Sequence, residues 1–187
     1  MNTATTTPGR IVSLRPVRES DLPLLIQLAG SPEWRSEFES GRLSGEQSVK
    51  KRFAEDGRSS EAGERLMVCD ESGAVIGSVS HFPAHCYSTA REIGWSIHDP
   101  ALRGRGYGTA AARALVDYLF ENFEAVHRIC CNTDPANIAS RRIAEKAGLQ
   151  YEGLLRDVIF IRGAYVDGAV FGILRPEWLA GRVQAAN

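Results

Sequence analysis

Between Leu102 and Ala111 the chain reads LRGRGYGTAA, so that Arg103, Gly104, Arg105, Gly106, Tyr107 and Gly108 run straight into an alanine-rich apolar segment. These are the residue types of an anion cradle. The first N–H groups of a helix lack intrahelical partners, and the helix dipole adds partial positive charge at that end. Glycine lets the backbone approach a ligand closely, and arginine adds permanently charged donors. The named phosphate loops do not fit. A dinucleotide fingerprint needs glycine three residues after Gly106, where Thr109 stands, and a P-loop needs a lysine followed by Ser or Thr. From the spacing alone two possibilities stand: a phosphate or pyrophosphate site, and a turn whose arginines stay in water.

Other side chains could move protons. In REIGWSI a strand would send Ile93, Trp95 and Ile97 to one face and Glu92, Gly94 and Ser96 to the other. Glu92 beside a glycine leaves room for a substrate or water, which suits a general base; it equally suits a solvated partner of Arg91. Glu152 and Asp157 stand behind it as carboxylates. Ser140 sits where a helix would carry it, as a hydroxyl donor or as a group bonded to its own preceding turn. Four cysteines, Cys69, Cys86, Cys130 and Cys131, form no CxxC pair. Adjacent strand residues point to opposite faces, so Cys130 and Cys131 are poorly placed to grip one metal. His81 and His85 near Cys86 lack a fourth ligand, and no metal site is expected. Reduced thiols in a cytoplasmic protein are the expectation.

Around these residues the pattern is mixed α and β. RIVSLRPV reads as a strand, and ESDLPLLIQLAG as a helix capped by Ser20 or Asp21 and closed by Gly30. SPEWRSEFESGRL reads as a polar loop region, and Ser44 with Gln47 as a capping box opening a second helix. Gly57 to Gly63 reads as a connector. RLMVCD and AVIGSVSHF form a hairpin turning at Gly73, and REIGWSI follows as the next strand. After the glycine stretch, Ala111, Leu115 and Leu119, joined by Ala112, Val116 and Phe123, mark one helical face. HRICCNT is a strand, NIASRRIAEKAG a helix ended by Gly148, and YEGLLRDVIFI with YVDGAVFGIL a terminal hairpin. Residues 1–9 read as a flexible polar lead-in without the apolar core of a signal peptide, and 10–181 as one domain. With 43% hydrophobic and 24% charged residues in 187, a packed core is expected. The net charge of −1 argues against nucleic acid or an anionic membrane as partner, and no run is long enough to span a bilayer.

Read as Arg103-x-x-Gly106-x-Gly108 after a strand and before an apolar helix, the loop resembles the pyrophosphate loop of GNAT superfamily N-acetyltransferases. NTDPANIASRRIAEKAGLQYEG adds a second match, with Asn137, Ser140, Glu145, Lys146, Gly148, Glu152 and Gly153 in place. The resemblance runs from IVSLRPVRESDLPLL to GILRPEW and is strongest to the ribosomal-protein-alanine N-acetyltransferase branch. It implies a mixed α/β (α+β) fold: one GNAT-like domain with a twisted, mostly antiparallel sheet, a splayed parallel strand pair and flanking helices. It implies acetyl transfer from acetyl-CoA to a primary amine by direct attack in a ternary complex. Backbone near Ile97 and His98 would pair with the pantetheine arm. The N–H groups of Arg103, Gly104, Arg105, Gly106, Tyr107, Gly108 and Thr109 would hold the pyrophosphate, and Asn137 would reach the pantetheine. Many members carry a tyrosine where this chain has Ala144, so Ser140 becomes the candidate donor to the leaving thiolate. Glu92 matches a carboxylate position used as the base.

Acceptor choice would rest on SPEWRSEFESGRL and FIRGAYVDG, with Trp34, Phe38 and Tyr165 as possible lining. The acids of EWRSEFES point to a cationic acceptor: a peptide or protein amino terminus, a polyamine or an aminoglycoside. Two rivals remain, a catalytically silent acyl-CoA sensor and a protein using the loop for another nucleotide. The apolar hairpin could serve a homodimer.

Overall fold

Period-two alternation in the sequence becomes one sheet. The computed structural model describes residues 4–7, 10–34, 36–60, 62–85 and 89–185. Its strands are β1 (Ala4–Thr7), β2 (Arg10–Pro16), β3 (Ser59–Ser60), β4 (Gly63–Cys69), β5 (Val75–Pro83), β6 (Arg91–Ile97), β7 (Arg128–Thr133), β8 (Gln150–Ile161) and β9 (Ala164–Leu174). The helices are α1 (Leu22–Gly30), α2 (Glu46–Asp56), α3 (Tyr107–Asn122), α4 (Ile138–Lys146) and α5 (Arg175–Ala185). The strand order is β1-β2-β4-β5-β6-β7-β9-β8, with β3 beside β4. Every pairing is antiparallel except β6 with β7.

That exception shapes the molecule. The parallel contact joins only Arg91 to Ile129 and Glu92 to Cys130; beyond it the two strands part. A crossover helix must link parallel neighbours, and α3 does so. Its buried stripe, Ala111, Ala112, Leu115, Val116 and Leu119 with Phe120, packs with Val12, Leu14, Leu66, Val68, Val79, Ile93, Ile129 and Phe171 in the main core. Each fully buried Leu or Phe contributes about 1.5–3 kcal/mol, so α3 is the anchor of the fold. A smaller cluster of Val17, Leu25 and Met67, with Leu24, Val49 and Phe53 against it, joins α1 and α2 to the sheet.

Several local expectations change. The Ser44–Gln47 capping box does not form: α2 starts at Glu46 behind Gly45, with no side-chain cap. Ser44 instead donates its N–H to Ala29 O of α1 at 3.0 Å, which braces the two helices. Asp21 does not cap α1 with its side chain. Its buried carboxylate accepts two bonds from Arg15, at 2.7 and 2.8 Å, and one from the Arg18 N–H at 2.8 Å. Within the Gly57–Gly63 connector, Ser59 and Ser60 pair with β4. Ala4–Thr7, inside the expected lead-in, pair with β2; residues 1–3, 8 and 9 lie outside the described residues, as does Cys86. The helix α5 was not anticipated. Arg175 fastens its start by donating to the carbonyls of Phe120, Phe123 and Val126, contacts that only the folded chain creates.

Candidate functional site

The parting of β6 and β7 opens a first cavity of about 420 Å³. Its walls are Ile93 to Ile97 of β6, Cys131 to Thr133 of β7, Arg103, Gly104 and Gly108 from the glycine stretch, and Asn137, Ala139, Ser140 and Ile143 around α4. Ser36, Phe38 and Glu39 close one side. Ligands of open α/β sheets bind in such a place, outside the carboxyl ends of strands where the topology switches. The backbone there has a free edge. His98 donates its N–H to Ile76 O of β5, so alternation along the strand turns the polar groups of Ile97 and Trp95 away from β5 and toward the gap.

The glycine stretch is shaped locally. Asp99 accepts the N–H of Ala101 at 2.8 Å and caps a single 3-10 turn over Pro100–Leu102. Gly104 at φ 72° and Gly106 at φ 90° then reverse the chain into α3, in the left-handed region that a side chain disfavours. Arg103 folds back, its Nε donating to Ile97 O at 3.1 Å inside the gap. Gly108 is buried because α4 lies close: a Cβ there would stand 2.7 Å from Ile143 Cδ1. Arg105 and Gly106 are exposed, and Tyr107 packs on the main core.

Asn137 caps α4, its Oδ1 accepting the Ser140 N–H at 3.0 Å. That bond does not use the Asn137 amide nitrogen or the Ser140 hydroxyl, and both residues line the cavity. Ala144, one turn on from Ser140, is fully buried and offers no hydroxyl. Glu92 is half-buried on the face shared with Gly94 and Ser96, and burial raises its pKa while His85 opposes the rise. It does not line the first cavity, which begins at Ile93. Thus the cavity gathers Ile97, Arg103, Gly104, Gly108, Asn137 and Ser140 of the expected residues, while Glu92, His98, Arg105, Gly106, Tyr107 and Thr109 stand off its wall.

Of the other carboxylates, Glu152 is held by Arg128 in an ion pair that lowers its pKa. Burial pushes the Cys130 and Cys131 thiols up to about 11 and about 12, so neither is a thiolate near neutrality. Among the described residues no group of three His, Cys, Asp or Glu side chains could hold a metal ion. Among the described residues no helix is long and apolar enough to cross a membrane.

Sequence reasoning missed Asn132, whose buried Oδ1 has no hydrogen-bond partner and whose residue lines the gap. An asparagine between Cys131 and Thr133 in a strand carries no motif to flag it. A second cavity was missed altogether. It measures about 390 Å³ and lies between α1, α2 and the sheet; Trp34, Ser78, Ser96 and His98 are among its walls. Phe38 lines the first cavity, whereas Tyr165 packs at a tilt against Phe160 in the hairpin and lines neither.

Residues 12–150 match the Acetyltransferase (GNAT) domain family. The uncharacterized N-acetyltransferase YnaD of Bacillus subtilis is 29% identical over 131 residues, covering 68% of this chain and 74% of that protein. The ribosomal protein uS5-alanine N-acetyltransferase of Escherichia coli is 30% identical over 119 residues, 64% of this chain and 56% of that protein. The crystal structure of spermidine N-acetyltransferase from Vibrio cholerae, in complex with CoA and spermine, superposes with a TM-score of 0.74 at 22% identity, over 90% of this chain and 98% of that one. With a strand pair opened beside a glycine-rich helix start, and a family match over most of its length, the chain belongs to the GNAT acetyltransferase family.

Proposed function

We propose that the protein moves the acetyl group of acetyl-CoA to a primary amine, a peptide or protein amino terminus among the candidates, by direct attack with both substrates bound. The observation that carries this is the gap between β6 and β7, which runs from the start of α3 to the Ser140 hydroxyl. The residues fit the donor. An extended arm needs backbone partners; Trp95 turns its N–H and carbonyl into the gap and Ile97 its N–H, the Ile97 carbonyl already accepting Arg103. A pyrophosphate needs N–H donors and positive charge; the Arg103 N–H is taken by Pro100 O, so the stretch from Gly104 to Thr109 supplies the donors and the arginines the charge, with left-handed glycines and no side chains at Gly104 and Gly106. Asn137 keeps an amide nitrogen for the arm once its oxygen has capped α4.

Acetyl-CoA supplies the thioester. The chain's own groups do the rest. Ser140 donates its hydroxyl proton toward the departing sulfur, the position at which Ala144 offers nothing. Glu92 takes the proton of the attacking ammonium through water from the acceptor face of β6; its raised pKa brings it closer to the working range of a general base. Alignment of two bound reactants accounts for much of the acceleration. The apolar residues of the β8–β9 hairpin exposed to solvent, Leu154, Leu155, Val158 and Phe160, suit a homodimer contact.

One rival has an observation in its favour. Glu92 stands off the first cavity, which is what a silent acyl-CoA sensor without a base would tolerate. Free-thiol release from acetyl-CoA decides between them, measured with alanine-first peptides, polyamines, aminoglycosides, amino acids and a blank. Acceptor-dependent release is expected. Tight acetyl-CoA binding with no release above the blank on any amine would overturn the transferase in favour of the sensor.

A further inference from the structure

The second cavity has a distinct chemistry. Arg42 from the segment before α2, Arg52 from α2, Arg58 from the turn after it and Arg65 from β4 all line it, against the single carboxylate of Glu39. Guanidinium stays charged across the working pH range, so this wall carries a clear positive excess in a chain whose net charge is −1. Three arginines elsewhere are paired with carboxylates: Arg15 with Asp21, Arg128 with Glu152 and Arg182 with Glu121. None of these four forms an ion pair with a carboxylate among the described residues.

They are held together at a cost. Arg58 sits at φ 70°, a left-handed conformation that a residue with a side chain seldom adopts. Its carbonyl accepts the Arg65 N–H at 2.8 Å, which locks the two neighbours. Burial, then Arg58 and Arg52, push the Arg65 guanidinium down to about 10, with Glu39 opposing. A bound anion would relieve that mutual repulsion. His98 supplies a further signal. It is 8% exposed, its Nε2 lies 3.2 Å from Ser78 Oγ, and its buried Nδ1 has no hydrogen-bond partner. Burial, Arg65 and Arg103 hold it down to about 4, so it stays neutral at the edge of a cationic site. The two cavities share Glu39 and Ser96 on their walls, so they lie side by side.

We infer that the arginine-lined cavity binds an oxyanion of the acceptor, so that the acetylated amine belongs to a carboxylate-bearing molecule whose amino group passes Ser96 and Glu39 into the first cavity. This rests on the transferase proposal for the first cavity, and it names the substrate class. A volume of about 390 Å³ suits an amino acid or the first residues of an acidic peptide. Polyamines and aminoglycosides, as polycations, are repelled. The charge of the assembled wall therefore reverses the expectation drawn from the acids of EWRSEFES, of which only Glu39 lines either cavity.

The test has a binding arm and a turnover arm. Succinate, titrated calorimetrically into the full chain, is expected to bind, and Arg52→Gln and Arg58→Gly to weaken it at least about tenfold each. Arg52 is exposed on α2, and glycine suits the φ of Arg58, so neither change threatens folding. In turnover, L-glutamate is compared with its diamide, an Ala-Glu-Glu peptide with Ala-Gln-Gln, and both pairs with spermidine. Carboxylate acceptors are expected to show at least about tenfold higher kcat/KM than their amides. The variants should remove that preference while leaving the KM for acetyl-CoA unchanged. The better pair separates an amino acid from a peptide terminus. The proposal fails if succinate does not bind, if the variants bind it normally, if amides or spermidine are used as well, or if the variants raise the KM for acetyl-CoA, since the arginines would then serve the donor's phosphates. Arginine-dependent succinate binding with no thiol release on any amine would leave the anion site standing and sink the transferase.

Discussion

Two neighbouring cavities of similar size are built in opposite ways. The first is walled by the parted strands and by small residues, Gly94, Gly104, Gly108, Ala139 and Ser140, among apolar side chains such as Trp95 and Ile143, with Arg103 as its one cationic side chain. The second is walled by long cationic side chains from the segment before α2, from α2, from the turn after it and from β4. Main-chain donors are set once the backbone folds and accept any ligand of the right shape and charge. Guanidinium groups on separate elements can change without disturbing the sheet. Under the proposals above, the donor occupies the first cavity and the acceptor's oxyanion the second.

The division breaks most visibly at the anchor of α1, beneath the second cavity. Asp21→Asn leaves the Arg15 guanidinium without its carboxylate and should cost about 3 kcal/mol, read from the urea midpoint. Acceptor KM should rise, with that of acetyl-CoA unmoved. The bond from Arg15 holds the Asp21 carboxyl below the usual carboxylate range. Its stabilising contribution is therefore complete above the unfolded pKa of about 4 and is lost as pH falls through the lower folded value. Wild-type protein should show that acid-side loss, and the asparagine variant should lack it.

Next comes Glu92→Gln, on the acceptor face of β6. Turnover should fall about 100-fold with acetyl-CoA affinity retained. A base must be ionised, so activity rises with pH through the Glu92 pKa, which burial places above the ordinary glutamate value. The variant should lose that limb of the kcat/KM profile; unchanged turnover across the pH series removes Glu92 from the chemistry.

Ser140→Ala should lower kcat about tenfold, at the weak end of the range for one proton donor. The Ser140 N–H still reaches Asn137, so α4 keeps its cap and the melting temperature should hold. A fall in melting temperature with unchanged kcat would make Ser140 structural.

The smallest effect belongs to the donor loop. Alanine at Gly106 must adopt φ 90°, a strain of about 1–2 kcal/mol. A few-fold rise in the KM for acetyl-CoA is expected, and a rise in acceptor KM instead would collapse the distinction between the cavities.

The donor side was legible because it is contiguous. Arg103 to Thr109 carry their own turn chemistry, the α3 stripe announces its buried face, and Asn137 with Ser140 sit three residues apart at a helix start, where one caps the other. The arginine-lined cavity was illegible for the complementary reason. Arg42, Arg52, Arg58 and Arg65 share no periodicity, and their nearness comes from α2 packing on β4 through Val49, Phe53 and Met67. Local acidity in EWRSEFES says little about a cavity's charge, because facing residues distant in sequence set it; of its acids only Glu39 lines either cavity. Ser44 was misread similarly: its N–H found a partner on α1 instead of closing a capping box.

By itself, then, the sequence determined the order of the central elements from β4 to β9, the glycine loop and the pair formed by Asn137 and Ser140, since these depend on backbone preferences and contacts a few residues apart; β1, β3 and α5 it left out. Tertiary structure alone decided where β6 and β7 part, that Glu92 lies below the opening, and that the arginines gather over His98. Those outcomes depend on register and long-range packing, which no short window of residues encodes.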